Sequence, residues 1–85
     1  MKKIVMSSMA PEPIGPYSQG VVSGGYFFLS GQVGRRHDTT ELEKGVAAQT
    51  RQAILNMKAV LAEKNLTLDN VVKTTVFLAD MNDFA

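Results

Sequence analysis

Few side chains in this sequence are equipped for chemistry. The most conspicuous is Tyr17, set within IGPYSQG, Ile14 to Gly20. A bend needs Gly15 and Pro16, and Pro16 holds Gly15 in extended geometry. It does not need a tyrosine. Tyr17 is therefore either an aromatic packed beside a turn or a wall of a binding site. Ser30-Gly31 carries the same two meanings. It is a strand end punctuated by glycine, or a hydroxyl and an open stretch of backbone that face a ligand. His37 has the right group for general acid or base work, and Arg35-Arg36 for holding a carboxylate or phosphate. All three lie in a polar, charged stretch, where a solvated loop is the better reading. Arg51 is read as structural, at the edge of a helix face and paired with a carboxylate. Met57 and Met81 are read as gap-fillers.

Composition narrows the chemistry further. The 85 residues suffice for one small domain, and 45% are hydrophobic, enough to form a core. No cysteine is present and there is one histidine, so disulfides and zinc sites of the usual nitrogen and sulfur type are excluded. Nine basic residues against eight acidic ones leave a formal charge of +1, spread along the chain. That is no electrostatic footprint for nucleic acid, nor a polybasic membrane patch. The opening residues Met1 to Met6 resemble the start of a signal peptide, but the apolar run is too short. Residues 13–34 carry no charge over a length that suits a membrane span. Their six glycines and two prolines instead indicate strands joined by turns. A soluble protein of a reducing, cytoplasmic compartment is expected.

These groups need elements to position them. Lys3 to Met6 is a β-branched run that predicts a first strand. Ser7 to Pro16 holds all three prolines and predicts a loop. Ser18 to Ser23 and Tyr26 to Leu29 predict two strands joined through Gly24-Gly25, a two-residue hairpin signal. Arg35 to Glu43 predicts an exposed loop. From Val46 to Lys64 the spacing of Ala47, Thr50, Ile54, Met57 and Leu61, with Ala53 and Val60 beside them, predicts an amphipathic helix. Gln52, Asn56 and Glu63 fall on its far side. Thr40 to Glu43 has capping-box spacing, but Gly45 interrupts any helix begun there, so the N-cap is placed at Gly45. Asn65 is suited to close the other end in left-handed geometry. Asn70 to Ala79 predicts a fourth strand with apolar groups on both faces, which hints at a partner for the second face. Asp80 to Ala85 reads as a capped helix start with no helix after it. Four strands and one helix leave sheet edges open, and we expect a chain cut short.

Four stretches, IGPYSQG, YFFLSGQVG, AAQTRQAILNMKAVL and VVKTTVFLADMNDFA, stand in an order and spacing that resemble the reactive-intermediate deaminase family, RidA or YjgF, also called endoribonuclease L-PSP. The likeness covers nearly the whole chain and is weakest at Arg35 to Glu43. It implies an α+β fold, a mixed β-sheet with two helices packed on one face, similar to chorismate-mutase-like folds. Residues 1–85 would be the N-terminal portion of one such domain, without its C-terminal helix and strands. The resemblance also implies a homotrimer whose sheets line a central barrel, with sites at the subunit interfaces. The activity implied is that of a 2-iminobutanoate/2-iminopropanoate deaminase-like hydrolase. It converts 2-aminoacrylate and related enamine or imine acids to 2-keto acids and ammonia, without metal or organic cofactor. Tyr17, Ser30 and Gly31 match pocket positions of the family, and Phe84 matches a phenylalanine near the neighbouring wall. The family's carboxylate-binding arginine, its glutamate and an asparagine of the second helix come later than Ala85, so no residue here is assigned a catalytic role. Two other functions are weighed. One is an endoribonuclease and translation inhibitor, for which a lone histidine and balanced charge are poor equipment. The other is a non-catalytic trimer that binds a small keto acid. The partner expected is a small 2-imino or 2-keto acid, with neither membrane nor nucleic acid.

Overall fold

The computed structural model describes residues 2–85. Three short strands, β1 (Lys3–Val5), β2 (Gly20–Ser23) and β3 (Tyr26–Leu29), form an antiparallel sheet in that order. The β2–β3 turn is Gly24-Gly25, with φ of 59° and 82°. Two successive positive φ values give the turn whose twist matches the strands it joins. It fixes the pairing of Val22 with Phe27 and of Val21 with Phe28, while Ile4 of β1 pairs with Val21.

Alternation along the strands then sorts the side chains. Val5, Val22, Phe27 and Leu29 face one side, where they pack with Ala10, Ala59 and Val60 into the core. Ile4, Tyr26 and Phe28 turn to the other side and are exposed. The core layer is completed by one helix, α1 (Val46–Ala62). This is an α+β arrangement with the helix on one face of the sheet, as expected.

Local chemistry sets the ends of α1. Gly45 is the N-cap at φ 88°, and its carbonyl accepts from Gln49 N–H. At the other end Asn65 takes φ 58°. Asn65 N–H then donates to the Ala62 carbonyl and Leu66 N–H to Leu61, closing the last turn as a Schellman motif. Gly34 brings the chain after β3 against the helix. A Cβ there would lie 2.4 Å from the Gln49 Cα, so no larger residue fits.

Two expectations are corrected. The inner face of α1 is not the most apolar one. Ala47, Thr50 and Ile54 are exposed, whereas Asn56 is fully buried and Gln49 and Gln52 half-buried. The two faces share Ala53, Val60 and Leu61, with Met57 half-buried between them. The inner face is set by a polar requirement: Asn56 Nδ2 donates to the carbonyls of Val33 and Arg35, at 3.0 and 2.8 Å.

The second correction is the fourth strand. Asn70 ends a single 3-10 turn, Leu68–Asn70, which Thr67 caps, and the residues that follow to Ala79 pair with no strand. Val72, Val76 and Phe77 are exposed. The sheet stops at β3, and a strand needs a hydrogen-bonded neighbour as well as a suitable sequence. Of Asp80 and Asn82, the two residues suited to cap the last segment, Asp80 is the one that does. Its carboxylate accepts from Asn82 N–H and opens a 3-10 turn over Met81–Phe84.

Candidate functional site

The site is best built from the loop between β1 and β2. Three prolines supply no N–H, so this loop has more acceptors than donors. Gln19 answers the imbalance. Its side chain is 1% exposed. Oε1 accepts from Ser7 N–H, and Nε2 lies 3.1, 3.2 and 2.8 Å from the carbonyls of Ser7, Ala10 and Pro11. The loop is thereby drawn onto the start of β2, two residues from Tyr17.

Ser30 closes the same corner from the other strand. Its N–H donates to the Gln19 carbonyl at 2.9 Å, and its hydroxyl donates to the Ser18 carbonyl. Tyr17 itself forms a tight turn, with its N–H on the Gly15 carbonyl at 2.8 Å, and its side chain is exposed. Gly31 follows Ser30 with open space where a Cβ would stand. Tyr17, Ser30 and Gly31 are thus brought to one corner at the end of the β2–β3 hairpin. Phe84 stands apart from them in the hydrogen-bond network, exposed in the last 3-10 turn.

The segment leaving Gly31 is held by the helix. Asn56 fixes the carbonyls of Val33 and Arg35, and its own Oδ1 accepts from Gln52 Nε2 at 2.9 Å. Beyond it the chain folds back on itself. Arg35 bridges Leu42, Glu43 N–H donates to the Gly34 carbonyl at 2.7 Å, and Arg35 Nη1 donates to the Thr39 carbonyl at 2.7 Å. Arg35 is therefore a brace within its loop. Arg36 pairs with Asp38 at 3.3 Å with both side chains in solvent, and His37 is exposed between them. Among the described residues Arg51 is exposed and pairs with no carboxylate, contrary to the role expected for it.

Gln19 and Asn56 are the two residues that sequence reasoning passed over. For Gln19 a signal existed: a donor-poor proline loop followed by one long amide. For Asn56 the signal ran the wrong way, because hydropathy places an amide on the solvent side.

A cleft of about 470 Å³ opens between α1 and the 36–38 stretch, lined by Arg36, His37 and Lys58 over Met9, Leu55 and Ala59. It includes none of Tyr17, Ser30, Gly31 or Phe84. The hairpin corner is an open surface in the single chain, where Tyr17 and Gly31 are exposed.

No helix of the described residues is long and apolar enough to cross a membrane. The family model described as endoribonuclease L-PSP matches residues 7–85. A RutC family protein of Pyrococcus horikoshii is 45% identical over 86 residues, covering 100% of this chain and 68% of that protein. The 2-iminobutanoate/2-iminopropanoate deaminase of Escherichia coli (strain K12) is 45% identical over 85 residues, with 100% of this chain and 66% of that protein covered. The crystal structure of Escherichia coli TdcF with bound serine superposes with a TM-score of 0.91 at 40% identity, over 96% of this chain and 65% of that one. The chain thus spans about two thirds of the length of the relatives it matches. With the matched model reaching from Ser7 to Ala85 and the fold superposing on a solved relative at 40% identity, this chain belongs to the endoribonuclease L-PSP family.

Proposed function

We propose that the hairpin corner is part of the site of a hydrolytic deaminase that converts enamine and imine acids such as 2-aminoacrylate to 2-keto acids and ammonia, acting as a homotrimer. The observation that carries this reading is the double tie of Ser30 to Ser18 and Gln19, which seats Ser30-Gly31 against the Tyr17 bend. The deaminase name of the Escherichia coli relative and the serine bound to TdcF support a small amino-acid-derived ligand.

The chemistry divides among few groups. The Ser30 hydroxyl proton is engaged by the Ser18 carbonyl, so the oxygen offers a ligand its lone pairs. Those suit the N–H of an iminium or a water poised at the imine carbon. Gly31 is exposed with open space at its Cβ position, and its N–H suits a carboxylate oxygen. The Tyr17 hydroxyl donates or accepts from the opposite side. 2-Aminoacrylate first becomes the imine, its methylene carbon gaining a proton as its nitrogen loses one. Water then adds to the C=N carbon, both water hydrogens pass to nitrogen as the carbinolamine collapses, and ammonia leaves the keto acid. Phe84 is proposed as an apolar wall presented to a neighbouring copy.

The test is release of ammonia and pyruvate when 2-aminoacrylate is generated enzymatically beside the protein. The protein is expected to accelerate both, and Tyr17→Phe to lower the gain about tenfold, the scale of one lost hydrogen bond in a site. Decay of 2-aminoacrylate at the uncatalysed rate, whatever the protein concentration, overturns the deaminase reading. Saturable binding of pyruvate without turnover would assign the corner to a binder instead.

A further inference from the structure

We propose that Gln19 is a positioning residue of this site: its buried carboxamide fixes the three-proline loop and so sets where Tyr17 stands relative to Ser30 and Gly31. The proposal rests on the reading of the corner given above.

The side chain is 1% exposed, so it does not touch a ligand in the corner. It does bind the loop at both of its functional ends. The amide oxygen takes the Ser7 N–H. The two amide hydrogens serve three carbonyls, those of Ser7, Ala10 and Pro11, the closest at 2.8 Å. Between Ala10 and Tyr17 the other internal tie is the local Tyr17–Gly15 bond. Pro11, Pro13 and Pro16 supply no donors, so the loop lacks the means to hold itself against the sheet. A leucine would fill the same space in this core and leave those carbonyls buried and unpaired.

Gln19 also acts through its backbone, because its carbonyl receives the Ser30 N–H at 2.9 Å. One residue therefore binds the Ser7–Pro11 part of the loop by its side chain and the Ser30 strand end by its main chain, so Pro11 and Gln19 bracket the segment that carries Tyr17.

The test uses Gln19→Leu and Gln19→Glu in the full chain, with 2-oxobutanoate as the probe in calorimetry and amide hydrogen exchange as the structural readout. Gln19→Leu is expected to weaken 2-oxobutanoate at least tenfold. It should speed exchange at Tyr17 and Ser18 while α1 amides keep their protection. Its effect should not add to that of Tyr17→Ala, because both act on one group. Gln19→Glu has a signature of its own. Protonated, the carboxyl keeps an acceptor and one donor. Ionised, it faces three carbonyl oxygens, and burial raises its pKa above the ordinary glutamate value. Binding by this variant is therefore near that of the parent in acid and falls as pH rises through the raised pKa, a limb the parent lacks.

A folded Gln19→Leu protein with parental affinity overturns the proposal. So does a loss that adds fully to Tyr17→Ala, or exchange that rises equally in α1 and the loop. If the parent itself does not bind 2-oxobutanoate, the site reading fails. Exchange alone then decides the positioning claim, which stands if the increase is confined to the loop and falls if it is uniform.

Discussion

Asn56 decides which side of α1 meets the sheet. It is fully buried, and its amide serves two carbonyls, of Val33 and Arg35, that have turned away from any strand. Rotating α1 to bury Ile54 instead would leave both acceptors dry, and each unpaired group costs about 1–3 kcal/mol. Asn56→Leu keeps the volume and removes the donors. It is expected to lower stability by about 2–4 kcal/mol in urea titration, with loosening first at residues 33–35. An unchanged urea midpoint would show that water or the helix itself satisfies those carbonyls. The same residue shows where sequence reasoning runs out. Periodicity ranks faces by hydropathy, and Ala47, Thr50 and Ile54 outrank a face containing Gln49, Gln52 and Asn56. The carbonyls that need Asn56 lie more than twenty residues earlier and exist only after the chain has folded back. Tyr17, Ser30 and Gly31 are singled out through a family resemblance carried by short local motifs, whereas the Gln19 and Asn56 braces span the fold and leave no such local mark.

Among elements, those with local signals sit where the sequence puts them. The hairpin is specified by Gly24-Gly25, and α1 by Gly45 before it and Asn65 after it, each in a positive-φ conformation. The start of β2 and the end of α1 each fall two residues inside the expected bounds, and the other ends coincide with them. The segment from Asn70 to Ala79 has strand composition too, but its partner is not local and β3 ends the sheet. Composition fixes what a segment tolerates; pairing decides what it becomes. The hairpin turn offers the direct check. At Gly25, φ is 82° with no neighbour near the position of a Cβ, so the cost of a side chain there is backbone strain alone. Gly25→Val is expected to destabilise by about 1–2 kcal/mol, and Gly25→Asn by distinctly less, since asparagine tolerates this region. Equal thermal midpoints for the two variants would mean the turn relaxes to another type, and the β2–β3 register with it.

For the whole molecule, the question is what lies against the open face of the sheet. Ile4, Val21 and Phe28 stand side by side across the three strands, with Tyr26 beside Phe28 at 6.3 Å between ring centroids. Phe28 and Tyr26 are 61% and 67% exposed, and Ile4 63%. A contiguous apolar patch of this kind marks an interaction surface. It is also the second sheet face that one helix layer leaves uncovered. The proposed trimer would form through this face, which predicts a specific dependence. The sedimentation coefficient should rise with protein concentration toward that of a trimer. Phe28→Ser should shift that rise to at least tenfold higher concentration, because a buried phenylalanine contributes about 1.5–3 kcal/mol to the contact. Because the Phe28 side chain points away from the Val5–Val60 core, the far-ultraviolet spectrum and helix content should stay unchanged. A substitution on the exposed helix stripe, Ile54→Ser, should leave the association curve where it was. If Ile54→Ser shifts the curve and Phe28→Ser does not, the copies meet through the helix layer. The Tyr17 corner would then face solvent on each copy rather than a neighbour's Phe84.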